Sequence, residues 1–181
     1  MKNYLFILLF SSISFLSKAQ TSDSTGSLGF TINSSMNGEL YPFRIVPSLT
    51  YFKGKSQLEL GFGIHPLIRK DQKILSGELN YKYYPNGTNN KYNLYFITRF
   101  SYVHNKRDSY YPTTYKYLFL NGGYGLEINP FKEAYFGTNI SIGTFSYKKD
   151  TENPYNTHAP EKLFDAFGFD LAFQFNVGYR F

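Results

Sequence analysis

FDLAFQFNVGYRF, residues Phe169 to Phe181, ends the chain with Phe, Leu, Val or Tyr at every odd position and with small or polar side chains at nearly every even one. Alternation of this kind is the signature of a β-strand with one apolar face. Whether that face packs on a soluble core or meets lipid decides the fold, and the preceding sequence supplies the answer.

Working back, the chain from Ser27 divides into segments of about ten residues with the same period, each closed by turn chemistry. SLGFTINSSM (27–36) sets Leu28, Phe30 and Ile32 on one face and runs into Asn37-Gly38, a strong hairpin signal. PFRIVPSLTYF (42–52) aligns Phe43, Ile45, Pro47, Leu49 and Tyr51 before the tight KGKS turn. QLELGFGIHPLI (57–68) alternates Leu58, Leu60, Phe62 and Ile64 with Glu59, Gly61, Gly63 and His65. The same period continues in ILSGELNYKYY (74–84), YNLYFITRFSYV (92–103), YKYLFLNGGYGLEI (115–128) and AYFGTNISIGTFSY (134–147). With the closing stretch, eight strands are predicted, and no segment carries a helical period.

Composition agrees. The 181 residues make one domain, and 18 Tyr and 19 Phe favour strands over helices. Beyond the N-terminus no apolar run approaches the 18 or so residues that a spanning helix needs, which excludes a helical membrane protein. The N-terminus itself reads as a signal peptide over residues 1–19: Lys2, an apolar core YLFILLFSSISFL (4–16), then Ser17-Lys18-Ala19 with small residues placed for cleavage before Gln20. There is no cysteine, so neither a lipidated cysteine nor a disulfide is available. Removal of Lys2 and Lys18 leaves 17 basic against 13 acidic side chains. No dense Lys/Arg tract is present, and a nucleic-acid partner is not expected.

Eight amphipathic strands suit a soluble sandwich, a soluble barrel or a membrane barrel. The polar faces here are rich in Gly, Ser and Asn, too small to solvate an exterior and well suited to a crowded interior. A membrane barrel turns its apolar face outward and its polar face inward. The connections also alternate. Those after the second, fourth and sixth strands (KGKS, PNGTNNK, NPFKE) are short, whereas RKDQK, HNKRDSYYPTT and KKDTENPYNTHAPEKLFDAF are longer. Only the first hairpin is short on the long-loop side. An even strand number places both termini on the short-turn side, the periplasmic side in bacterial barrels. The predicted fold is an all-β, eight-stranded antiparallel up-and-down transmembrane β-barrel over residues 20–181.

These residues resemble small eight-stranded outer membrane β-barrel proteins of Gram-negative bacteria. The sharpest element is FQFNVGYRF, where Phe173, Phe175, Val177, Tyr179 and Phe181 look like the C-terminal signal read by the outer membrane assembly machinery. The leader ending in KAQ and the NYKYYPNG segment further resemble barrels from the Bacteroidetes. The resemblance implies an outer membrane location, lipid and lipopolysaccharide as surroundings, the barrel assembly machinery as a partner during biogenesis, and a monomer.

With apolar faces to lipid, the strand charges point inward: Arg44, Glu59, Glu78, Lys82, Arg99, Glu127, Asp170 and Arg180. Glu59, Lys82, Glu127 and Arg180 fall near the periplasmic end, the other four nearer the middle or outer half, and each layer is neutral. Eight strands enclose a space that side chains largely fill, so these charges must pair. A salt-bridged plug is the expected arrangement, a narrow porin-like channel the alternative. Some barrels of this group modify lipid A with a Ser/His/acid site, but His65, His104 and His158 sit in His-Pro-Leu, His-Asn-Lys and His-Ala-Pro contexts, and nothing in the spacing assembles a triad. No enzyme, metal or cofactor is expected. Basic and aromatic residues recur in the outer connections: Arg69 and Lys70; Lys106, Arg107, Tyr110 and Tyr111; Lys148, Lys149 and Tyr155. Such loops suit contact with anionic headgroups. EKLFDAFGF (161–169) is either a short amphipathic helical turn or an early start to the last strand. The expected role is envelope structure or surface interaction.

Overall fold

A computed structural model describes residues 26–38, 43–66, 72–155 and 162–181. Its strands are β1 (Ser27–Asn37), β2 (Arg44–Lys53), β3 (Ser56–Ile64), β4 (Gln72–Tyr83), β5 (Tyr92–Arg107), β6 (Thr113–Ile128), β7 (Ala134–Thr151) and β8 (Phe167–Arg180). Each pairs antiparallel with the next, and β8 pairs back onto β1, closing an eight-stranded barrel. The described residues contain no helix. The predicted fold class is therefore the observed one. The cleavage segment, residues 1–19, lies outside the described residues.

Alternation sets the two faces. On β5, Tyr92, Leu94, Phe96, Phe100 and Tyr102 are exposed while Asn93, Tyr95, Ile97, Arg99, Ser101 and Val103 are buried. On β8 the exposed set is Phe169, Leu171, Phe173, Phe175, Val177 and Tyr179, against buried Asp170, Ala172, Gln174 and Asn176. Large apolar side chains face outward from every strand, Leu60 at 65% exposure among them. Water-soluble monomers rarely expose contiguous apolar patches beyond a few hundred Å². This belt encircles the molecule, and the buried polar groups lie inside it.

Glycines on the inner face let large side chains cross the barrel. Tyr95 pairs with Gly125, Tyr135 with Gly178 and Phe145 with Gly168, and a Cβ at any of these glycines would enter the partner's ring. An aromatic laid over a cross-strand glycine covers backbone that would otherwise be poorly packed. At the KGKS turn only Gly54 and Lys55 separate β2 from β3, and Gly54 has φ 59°, the left-handed conformation that tight two-residue hairpins need.

The structure departs from the sequence expectation at the end of the barrel opposite the termini, here the far end. β5 continues to Arg107, β6 starts at Thr113 and β7 continues to Thr151, so HNKRDSYYPTT is mostly strand, with a connection of residues 108–112. The sequence places these strand ends at Val103, Tyr115 and Tyr147, yet the pairing continues beyond them, with Lys106 and Lys148 on the outer face. β3 ends at Ile64, short of the expected 68. Residues 162–165 form turns and bends, with Phe164 at φ 78°, and β8 begins at Phe167, so the described part of EKLFDAFGF is a non-helical turn and only its last three residues extend the strand. Both termini of the described chain lie at the end carrying the connections 54–55, 84–91 and 129–133.

Candidate functional site

All eight charged residues singled out in the sequence point into the barrel, in two layers. In the layer toward the far end, Glu78 on β4 faces two guanidinium groups: Arg44 Nη2 at 3.1 Å from Oε1 and Arg99 Nη2 at 3.6 Å from Oε2. Arg44 also donates to Asn37 Oδ1 at 2.7 Å and Ser35 Oγ at 3.2 Å, and Arg99 donates to the same Ser35 oxygen. Asp170 accepts from Asn37 Nδ2 at 2.5 Å and from Asn121 Nδ2 at 2.6 Å, so it joins the arginines through an amide and not directly. Two cations and two anions thus share a layer in which each is at most 1–2% exposed. Buried charges are tolerated when paired and hydrogen-bonded.

The layer toward the termini is built on Glu59 and Glu127. Glu59 Oε1 accepts from Lys82 Nζ at 2.5 Å and Gln57 Nε2 at 2.6 Å; Oε2 accepts from Asn80 Nδ2 at 3.0 Å and, more weakly, from Asn33 Nδ2 at 3.4 Å. Glu127 pairs with Arg180, whose guanidinium is held over the rings of Phe52 and Tyr135 at 4.7 and 4.6 Å. The Tyr84 hydroxyl lies 2.6 Å from Gln57 Oε1 and 2.7 Å from Glu127 Oε2, donating to one or the other and tying the halves of the layer together. Burial, reinforced by Glu127, pushes the Tyr84 phenol well above its ordinary range, so it remains a donor. Tyr84→Phe leaves buried acceptors without that proton and is expected to lower stability by about 1–3 kcal/mol. Equilibrium unfolding of the refolded barrel in urea checks this.

Sequence reasoning missed a third, apolar layer. Ile74, Val103, Tyr117, Phe119 and Phe145 form a buried cluster inside the far end, with Tyr115 and Tyr147 packed against it. Tyr115, Tyr117 and Phe119 stack in series at 5.9 and 5.7 Å, and Tyr147 stacks on Tyr117 at 5.8 Å. Arg107 and Lys149 lie over the Tyr115 ring. Above the charged layer, therefore, the interior is filled with rings. The run YKYLFL was the available signal: Tyr115, Tyr117 and Phe119 alternate with outward Leu118 and Leu120, so apolar residues occupy both faces.

The remaining sequence candidates scatter. Phe173, Phe175, Val177 and Tyr179 point outward along β8, Phe181 donates its backbone N–H to Leu28 O at 2.8 Å, and the Tyr179 and Phe181 rings meet at 5.4 Å. His65 Nδ1 lies 2.8 Å from the Phe43 carbonyl oxygen, and His104 sits on the outer face of β5, paired in register with Lys116. Arg69, Lys70 and His158 lie outside the described residues. Tyr110 and Tyr155 are largely exposed. Among the described residues the structure brings no histidine into a nucleophile, base and acid arrangement.

The sequence matches no family model and no curated protein. Solved structures are more informative. The N-terminal β-barrel domain of Pseudomonas aeruginosa OprF superposes with a TM-score of 0.60 at 13% identity, covering 87% of this chain and 100% of that one. A major outer membrane protein from Thermus thermophilus gives a TM-score of 0.52 at 11% identity, covering 87% and 100%. At such identities the likeness is one of fold: a closed eight-stranded antiparallel barrel of the kind found in outer membrane proteins.

Proposed function

We propose that this chain is a non-enzymatic outer membrane protein whose lumen is closed by its own side chains and whose role is envelope structure or surface contact. The observation that carries the reading is the inversion of polarity. A continuous belt of Leu, Ile, Phe and Tyr faces outward from all eight strands, and paired charges and amides face inward. Lipid is the solvent that such an exterior fits. On this reading residues 1–19 are the export signal, the far end is the cell surface, and the C-terminal pattern ending at Phe181 is the assembly address. The plug is supported by three stacked layers: Glu127 with Arg180 and Glu59 with Lys82; Glu78 with Arg44 and Arg99; then the Tyr117, Phe119 and Phe145 rings.

Expression of the full chain in a Gram-negative host tests the location. The protein is expected in the outer membrane fraction with heat-modifiable gel migration, and deletion of Phe181 is expected to reduce the amount assembled. Recovery from the soluble periplasm would overturn the reading. In planar bilayers the wild-type barrel is expected to be electrically silent. Steady single-channel steps that disappear in Arg99→Ala or Glu78→Ala would replace the plug with the channel reading.

A further inference from the structure

We propose that the outer face of β4 to β7, just past the apolar belt, binds the phosphorylated headgroup of a surface-leaflet lipid through Lys73, Lys106, Lys116 and Lys148. This rests on the outer membrane reading above and adds a ligand class and a site to it. The argument starts from register. Lys73 on β4 stands opposite Lys106 on β5; Lys116 on β6 stands opposite His104 on β5 and Lys148 on β7. Cations directly opposite one another on one face of a sheet repel. Here two Lys–Lys pairs lie within one sector.

Carboxylates answer only part of this charge. Asp150 sits 2.9 Å from Lys148 Nζ and 3.9 Å from Lys116 Nζ, and Asp108 sits 3.2 Å from Lys106 Nζ. Four lysines face two aspartates, and the ammonium-bearing side chains of Lys106, Lys116 and Lys148 remain 48%, 36% and 30% exposed. An anion that bridges lysines of neighbouring strands turns the repulsive row into a binding surface.

Position selects a lipid as the source of that anion. Three of the four lysines stand just past the last outward apolar residues of their strands: Lys73 after Leu75, Lys106 after Tyr102 and His104, and Lys116 after Leu118; on β7, Thr144 and Ser146 lie between Ile142 and Lys148. They therefore stand where acyl chains would give way to headgroups, a place where a lysine stem can cover apolar surface while its charge stays outward. The opposite sector differs. Its described outward strand positions at the far end are Met36, Ile64, Phe167 and Phe169, with Phe43 just before β2 and an exposed Lys162 in the turn that leads into β8. Among the described strand residues, the outward far-end lysines thus lie on one side of the barrel wall.

The test uses the full mature chain refolded into phosphatidylcholine vesicles, with or without bis-phosphorylated lipid A. Heat-modifiable migration serves as the check of folding. Wild type is expected to unfold at a higher temperature when lipid A is present, and native mass spectrometry is expected to show retained lipid A. The double variant Lys116→Gln/Lys148→Gln is expected to fold, to match or exceed wild type in phosphatidylcholine alone because a repulsive pair is gone, and to bind lipid A about 25-fold more weakly. Equal retention of lipid A by variant and wild type overturns the proposal. So does equal retention of dephosphorylated lipid A, or displacement of the lipid by an equivalent concentration of inorganic phosphate, which would identify a site for free anions. A chain that inserts into neither vesicle overturns the membrane reading and this proposal together, whereas one that inserts but ignores phosphate overturns this proposal alone.

Discussion

Glu78→Gln is expected to lower the unfolding free energy by about 3–5 kcal/mol, the cost of removing one partner from a buried ion pair. The substitution keeps shape and volume, so the loss reports charge. Glu78 is the shared counter-ion of Arg44 and Arg99, and both guanidinium groups are essentially without solvent. With an amide in its place they face each other across a layer whose one remaining anion, Asp170, is engaged by Asn37 and Asn121. Arg44 Nε and Nη1 and Arg99 Nη1 have no protein hydrogen-bond partner, so the protein itself offers little to spread the excess charge. The chain has no tryptophan, and unfolding in urea is best followed by circular dichroism or heat-modified gel migration. The double variant Glu78→Gln/Arg99→Met restores one cation to one anion and is expected to recover most of the loss. A Glu78→Gln barrel within about 0.5 kcal/mol of wild type would show that water, and not pairing, carries these charges. That result would also weaken the plug, since it implies a hydrated lumen.

The barrel was legible from the sequence because two independent signals converge on it. Period-2 alternation in stretches such as LELGFGI and FDLAFQFNV fixes which side chains share a face, and turn signals between the stretches mark antiparallel neighbours, whereas the expected alternation of connection lengths is not kept: 108–112 is shorter than 84–91 and no longer than 129–133. Glu59, Glu78, Arg99 and Asp170 could be placed inside for the same reason: Glu59 and Asp170 are flanked on both sides by outward apolar residues, and Glu78 and Arg99 on one side, by Leu79 and Phe100. Partners were another matter. Asp170 bonds Asn37, which lies 133 positions away in the chain, and Glu127 meets Tyr84, 43 positions away. Such meetings depend on the stagger of strands around the barrel, to which alternation along any one strand is blind.

Alternation also fails where both faces are apolar, and where the solvent changes along a strand. The first case hid the Tyr117, Phe119 and Phe145 cluster. The second cut β5 to β7 short because, on the outer membrane reading, a strand that emerges from lipid into water exchanges apolar residues for Lys on its outer face without ending. Lys106 and Lys148 therefore looked like loop residues although their backbones continue the ladder. The consequence reaches function: lysines on a paired strand are held at fixed spacings, whereas lysines on a loop would be free to move apart.

Gly143→Ala is expected to cost about 3 kcal/mol, the upper end of what overpacking exacts. Gly143 stands in a register row between Asn121 on β6 and Asp170 on β8. Without a side chain there, Asn121 reaches across it to bond Asp170 at 2.6 Å. A Cβ at 143 would collide with the Leu120 carbonyl oxygen and come within 2.7 Å of the Asn121 Cα. Those are backbone atoms of the neighbouring strand and cannot rotate aside, so β6 and β7 must separate or the ladder must shear. Gly123 makes the reciprocal approach from β6, where a Cβ would meet the Ile140 carbonyl oxygen and lie 2.6 Å from the Ser141 Cα. Together the two glycines let β6 and β7 coil tightly beside the charged layer. The control is Gly77→Ala on the outer face of β4, where a Cβ meets nothing within 4 Å. With no clash, the smaller entropy of the unfolded chain dominates, and the change is expected to be neutral or stabilising by up to about 1 kcal/mol. Urea midpoints of the two variants decide the matter: equal midpoints would mean that the close approach at Gly143 is relieved without cost, while a low midpoint for Gly143→Ala alone ties the geometry of β6 and β7 to the anion that balances the arginines.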